Sequence, residues 1–228
     1  MNKITFSMCK NSKYNRYSAV KLIRKERIAL ERQKTVKDSL GINILDKIPG
    51  KFTYGDRGIY CATHEIAAYK AFTYIGLDKF KNGIDIGGGL NALAGIMSTF
   101  MNGEICSIEV DKELHSEGKT LMQILKSSLP MLNRIKMIRG DFLKSNIDLK
   151  KYDVIFHSAN LSFEAAKDLS AKIAADMRPH AILILTYLSE GINFFIDNKV
   201  LHKIKEDFTW FDIGQHIEYT FNYYIKTS

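Results

Sequence analysis

Three cysteines in 228 residues, Cys9, Cys61 and Cys106, are an odd number without metal-ligand spacing. That scarcity excludes a disulfide framework and leaves no metal set, so a reduced, cytoplasmic protein is expected. Long apolar runs are missing as well. No stretch of about 18 uncharged apolar residues occurs, which excludes the usual transmembrane helix. The opening residues MNKITFSMCKNSKYNRY contain no apolar segment of the kind a secretory signal needs. There is no internal repeat and no low-complexity tract.

What is present is enough apolar material, 46% of residues, for one well-buried domain and an appendage. The net charge of +8 is unevenly placed. Residues 1–40 hold 11 Lys and Arg against Glu26, Glu31 and Asp38, while the rest of the chain carries 22 charges of each sign. Such a leader serves either as a solvated basic cap or as a contact for an anionic partner such as RNA or a membrane surface. We therefore expect a basic helical extension over 1–50 and a folded domain over 51–228.

Residues 17–39 have neither Gly nor Pro and mix apolar with charged positions, which predicts a helix ending near Gly41. The segment 48–60, with a Pro-Gly pair and two further glycines, reads as linker or loop. A helix is expected over 62–77, stopped at Gly76. Beyond it short apolar runs alternate with helical patterns: strands at NGIDIG, EICSIEV, IKMIRGDF, YDVIFHS and AILILTYL, and helices over 90–101, 112–128 and 162–177. That alternation predicts an α/β fold, a doubly wound, mostly parallel sheet covered on both faces. FTWFDI and HIEYTFNYYIK, separated by Gly214 and Gln215, read as an antiparallel hairpin at the sheet edge.

The stretch NGIDIGGGLNALAG, residues 82–95, sets a glycine-rich turn between the first of these strands and its helix. Glycine lets backbone approach a ligand closely. The spacing Gly87-x-Gly89-x-x-Ala92 fits a dinucleotide loop, an S-adenosylmethionine loop or a plain tight turn. Asp85 would repel a pyrophosphate but suits a ligand bearing an ammonium and a sulfonium. Glu109, 20 residues beyond Gly89, ends the second strand where an acid can accept from ribose hydroxyls. Asp141 ends the third, placed to accept from an exocyclic amine, with Phe142 available for a ring face. A nicotinamide-dependent oxidoreductase is disfavoured by the same acids.

In these motifs the chain, over roughly residues 60–226, resembles the class I S-adenosylmethionine-dependent methyltransferases. GIDIGGGLNALAG is similar to their first motif, CSIEVDKEL to their ribose-binding segment, IRGDF to their adenine-side acid, and YDVIFHSANLSF to the fourth-strand motif at the reaction centre. MRPHAILILTYL resembles their fifth strand, although Pro179-His180-Ala181 replaces the usual Pro-Gly-Gly. The resemblance implies a Rossmann-like seven-stranded sheet and S-adenosylmethionine as cofactor, bound by Asp85, Gly87, Gly88, Gly89, Asn91, Glu109, Val110, Asp141, Phe142 and His157.

Methyl transfer asks the protein to align acceptor and methyl and to remove a proton where one must leave. His157, Ser158 and Asn160 follow the fourth strand, and Tyr187 and Glu190 the fifth. His157 can act as a base, with backbone hydrogen bonding as its ordinary alternative. Asn160 can orient an amine or simply shape a turn. His64 and Glu65 precede the first strand within reach of cofactor or acceptor, so Glu65 joins His157 and Asn160 as a catalytic candidate. Tyr54 and Tyr60 are lid or core aromatics. Asp111 and Glu113 read as first-turn acids of a helix. A small molecule or a protein amine is the expected acceptor. The alternatives are RNA contacted through residues 1–40, and a nicotianamine-synthase-like transfer of the cofactor's aminobutanoyl arm, suggested by GGGLNALAGI and LSEGINFFIDN.

Overall fold

The computed structural model describes residues 13–40, 53–55, 58–60, 63–158, 160–161, 163–186, 196, 199–212 and 217–227. Gly41, Tyr187, Glu190, Cys9, Cys61 and the turn at Gly214-Gln215 lie outside them, as do the side chains of Tyr54, Tyr60 and Asn160.

The basic leader forms one long helix, α1 (Lys13–Leu40). Two short strands follow, β1 (Thr53–Gly55) and β2 (Gly58–Tyr60), then α2 (Glu65–Ile75), which ends on left-handed Gly76. The alternating part runs β3 (Gly83–Ile86), α3 (Ala92–Phe100), β4 (Ile105–Glu109), α4 (Lys112–Lys126), β5 (Ile135–Arg139), β6 (Val154–His157), β7 (Asn160–Leu161), α5 (Phe163–Asp176) and β8 (Ile182–Thr186). The chain closes with β9 (Leu201–Asp212) and β10 (Ile217–Lys226).

Seven strands form the main sheet in the order β5-β4-β3-β6-β8-β10-β9. The first five are mutually parallel and β10 and β9 are antiparallel, so the Rossmann-like sheet and its terminal hairpin stand as expected. Four of the parallel strands are buried along both faces because both are covered. Ile105, Val154, Phe156, Ile182 and Ile184 pack on the side of α1 to α4. Ile84, Ile86, Ile155, Leu183 and Leu185 pack on the side of α5. After β3 the chain winds outward through β4 and β5, then returns to place β6 on β3's other flank. That reversal opens a crevice at the carboxyl ends of β3, β4 and β6, where open α/β sheets bind ligands.

Two elements differ from the sequence expectation. Segment 48–60, read as a loop, contains β1 and β2, paired from Thr53↔Tyr60 to Gly55↔Gly58. The second of them pairs with β7 (Gly58↔Leu161, Ile59↔Asn160), so this small sheet is completed by a partner about a hundred residues away and carries little local signal. β9 begins at Leu201, well before FTWFDI, because its first half is an exposed edge bearing Lys203, Glu206 and Asp207.

The leader helix is part of the main core. Ala19, Val20 and Ile23 are buried in one cluster with Phe72, Leu90 and Phe156. Three of its arginines engage the body, while Lys21 turns to its own helix. Arg16 pairs with Asp78 at 3.6 Å and lies over the Phe100 ring, and Lys21 lies over Tyr17. Arg27 donates from Nε and Nη2 to the two oxygens of Glu65, and Arg24 stands 3.9 Å from the same carboxylate.

Glu65, read as a catalytic candidate on an ordinary helix surface, is 0% exposed. The sequence could not show this, because the burial is created by α1. Glu65→Ala removes the acceptor of the Arg27 Nε and Nη2 groups in a buried site while Glu31 still accepts from Nη1, and is expected to destabilise the protein by roughly 2 kcal/mol or more. Urea unfolding measures it, and the double replacement Arg27→Met, Glu65→Leu should recover most of the loss. A catalytic Glu65 would instead lose turnover at an unchanged unfolding midpoint.

Candidate active site

β3 ends in three glycines, and the backbone there needs them. Gly87 and Gly89 have φ of 81° and 51°, and Asn91 has φ 61°. These left-handed values turn the chain sharply from strand into α3. The loop is tied down from below: the Gly87 and Gly88 N–H groups both donate to the Ile108 carbonyl at 3.0 Å, and the Asn91 N–H to the Gly88 carbonyl at 2.7 Å. It is also tightly seated. A Cβ on Gly88 would stand 1.9 Å from Ser107 Oγ, and one on Gly118 of α4 would stand 2.1 Å from Asn91 Nδ2 and 2.9 Å from the Leu90 carbonyl carbon.

Two acids flank this loop on neighbouring strands. Glu109, at the end of β4, accepts the Gly89 N–H on one oxygen (2.7 Å) and the Asp111 N–H on the other (2.8 Å). Each oxygen keeps a further lone pair, so the carboxylate both fixes the loop and can accept from a ligand. Burial pushes its pKa up in spite of those amides. Asp85, level with Ser107 of β4 and Phe156 of β6, is 1% exposed, and neither of its oxygens accepts a hydrogen bond of normal geometry from the described residues, the Ala94 amide being the donor that faces it. Desolvation first, and then the nearby Glu109 charge, push its pKa up to about 8, against a smaller pull from the Ala94 amide. A buried carboxylate without partners costs free energy unless a ligand supplies them.

The remaining expected residues are distributed as follows. Val110, just past Glu109, is 50% exposed at the crevice edge. Asp141 Oδ1 accepts the Leu143 N–H at 3.0 Å, and Gly140 N–H donates to the Glu109 carbonyl, which brings the end of β5 beside β4. Phe142, expected to offer a ring face, is buried in the α5-side core with the Lys172 ammonium over its ring. Its ring is used for packing. Asp111 caps α4, accepting from the Glu113 and Leu114 amides at 2.8 Å each. His64 caps α2 through Nδ1 and packs on Trp210 with ring centroids 4.6 Å apart.

His157 ends β6, buried, with Nδ1 2.9 Å from the Ile86 carbonyl. A carbonyl only accepts, so the proton sits on Nδ1 and Nε2 is the basic nitrogen. Strand alternation puts His157 with Ile86 and Leu185 on the α5 side, opposite Asp85. Asn160 lies in β7, its backbone paired with Ile59. Sequence reasoning missed Ser107 and Thr186, whose hydroxyls are buried without partners. The available signal was their place in apolar strands at the parity of buried neighbours. Gly118 was missed because a helical glycine gives no hint of the loop it admits.

The pattern of the family described as protein-L-isoaspartate(D-aspartate) O-methyltransferase matches residues 5–179. No curated protein matches the chain. Among solved structures, the N-methyltransferase NodS from Bradyrhizobium japonicum WM9 is similar at 12% identity over 72% of this chain and 97% of that one, with a TM-score of 0.55. A precorrin-6y C5,15-methyltransferase from Geobacter metallireducens GS-15 is similar at 13% identity over 73% and 90%, with a TM-score of 0.54. An RNA methyltransferase from Salinibacter ruber, in complex with S-adenosyl-L-homocysteine, is similar at 12% identity over 73% and 94%, with a TM-score of 0.52. At such identities the likeness is one of fold, and the three names differ in what is methylated.

Proposed function

Because the chain belongs to the protein-L-isoaspartate(D-aspartate) O-methyltransferase family, and with it to the class I S-adenosylmethionine-dependent methyltransferases, we propose that it methylates an N–H or O–H nucleophile of a small molecule or protein. S-adenosylmethionine is the cofactor. The finer reading rests on one observation above all, the partnerless Asp85 carboxylate behind the glycine loop.

The residues present fit this cofactor. It supplies a methyl group already activated by a sulfonium, so the chain's task is binding, orientation and proton removal. We assign Asp85 to the cationic amino-acid end, where an ammonium supplies the missing hydrogen bonds and restores the carboxylate's charge. Glu109 accepts from the ribose hydroxyls with the lone pairs its backbone contacts leave over. Gly87, Gly88 and Gly89 give backbone access, and Asn91 holds the turn from within. Val110 and Asp141 take the adenine edge. His157, with its proton held toward the Ile86 carbonyl on Nδ1, is the candidate base for an acceptor that reaches past the end of β6 to its α5 face. Asn160 flanks the same strand end as an orienting group.

An isoaspartyl carboxylate, as in the family's description, would need no base at all. RNA is the weaker alternative, since Arg16, Arg24 and Arg27 are engaged with Asp78 and Glu65 and are withdrawn from a free basic arm. Aminobutanoyl transfer would use the same donor site and leave methylthioadenosine. The test is to incubate the full chain with methyl-labelled S-adenosylmethionine and cell extract and to follow both products by mass spectrometry. S-adenosylhomocysteine and label in a protein or small-molecule fraction are expected. Methylthioadenosine above the enzyme-free control, or label released by ribonuclease, would overturn the reading.

A further inference from the structure

The carboxyl edge of the sheet runs β5, β4, β3, β6, β8, and its polar groups fall in a sequence. Asp141 follows β5, Glu109 ends β4, and Asp85 with the glycine loop belongs to β3. An elongated donor anchored on those three strands leaves β6 and β8 for whatever receives its methyl. Thr186 ends β8, two strand spacings from β3, roughly 10 Å. It shares the parity of Ile182 and Ile184, which pack with the helices α1 to α4, and so shares the face of Asp85. Pairing of His157 with Leu185 sets Ser158, the next buried residue on β6's path, level with it.

Thr186 is 1% exposed, and its hydroxyl has no hydrogen-bond partner. It sits directly across from Phe221 of β10, in a wall of Phe156, Phe221 and Tyr219. Valine would fill that place with the same shape and no stranded hydroxyl. Nothing in the surrounding packing calls for an oxygen there. Along β3, β4, β6 and β8 the residues of this parity include the acids Asp85 and Glu109 and no Lys or Arg. An acceptor entering on this face beside the donor finds the Thr186 and Ser158 hydroxyls as its nearest strand-end polar groups.

We propose that Thr186, with Ser158 beside it, orients the methyl acceptor through its hydroxyl. The proposal rests on the methyltransferase reading above. Full-length wild type, Thr186→Val and Thr186→Ser are compared in three measurements: melting temperature without ligand, calorimetric affinity for S-adenosylmethionine, and transfer of tritiated methyl from S-adenosylmethionine into cell extract.

Thr186→Val is expected to melt no lower than wild type, to bind S-adenosylmethionine within about twofold, and to lose about tenfold or more in transfer per acceptor concentration, with Thr186→Ser recovering most of it. Transfer by Thr186→Val close to wild type, or a lowered melting temperature, would overturn the proposal. No transfer by wild type would overturn the methyltransferase reading itself, and this proposal with it.

Discussion

Asp85→Asn is expected to weaken S-adenosylmethionine binding by about 100-fold or more, the usual consequence of removing one partner of a desolvated charge pair. The same substitution should make the ligand-free protein more stable at alkaline pH. Both effects come from one fact, the buried carboxylate whose pKa is raised to about 8 by desolvation and by Glu109. In the unfolded chain that group titrates near 4. Between the two values the folded protein holds a proton that the unfolded chain has released. The stability this contributes is complete below pH about 4 and is lost progressively as pH climbs through about 8. An asparagine does not titrate, so the wild type should lose melting temperature between pH 5 and 8.5 relative to the variant. Thermal unfolding at both pH values, beside calorimetric titration at pH 8, reads the two effects together. A variant that binds as tightly as wild type would remove Asp85 from the donor site.

Glu109→Ala carries the second large effect, also about 100-fold in cofactor affinity. Its carboxylate has two duties, and alanine cancels both. The Gly89 and Asp111 N–H groups lose their acceptor, so the loop loses its side-chain tie to β4 and keeps only the Ile108 carbonyl there, and the ribose hydroxyls lose theirs. Glu109→Gln keeps one acceptor oxygen and should fall between, at about tenfold. Either change also removes the second-largest influence raising the Asp85 pKa. The rise of affinity with pH should therefore move to lower pH in both variants. Titrations from pH 6 to 9 measure that displacement, and an unmoved profile would mean that the two acids do not interact as described.

Much of this was legible in the chain. Strands such as VIF and ILIL are apolar on both faces because both faces are covered, and that pattern is local. The glycines at 87–89 and the acids at 85 and 109 belong to a turn and two strand ends whose geometry is also local. What could not be read depends on contacts between distant segments. Glu65 looks like any helix acid until α1 is laid over it with Arg27. Strands β1 and β2 are completed by β7, far along the sequence. The start of β9 is hidden by Lys203 and Asp207, whose spacing of four suggests a helix although they pair along an edge strand at 2.8 Å. Phe142 looked free for a ligand because nothing in IRGDF reveals that the α5-side core takes its ring. Thr186 looked like one more residue of an apolar strand. The sheet order sets it two strands from β3, and its hydroxyl has no partner among the described residues.

The central claim is that the partnerless Asp85 carboxylate is the anchor for the cofactor's cationic end. Its most direct test is proton release on binding, measured by calorimetry of S-adenosylmethionine titrated into the full chain at pH 7 in two buffers of different ionisation enthalpy. A carboxyl with a pKa of about 8 is mostly protonated at that pH, and an arriving ammonium converts it to the charged form. The expected result is the release of close to one proton per site, absent in Asp85→Asn. Binding with no proton released, or the same release in the variant, would contradict the account.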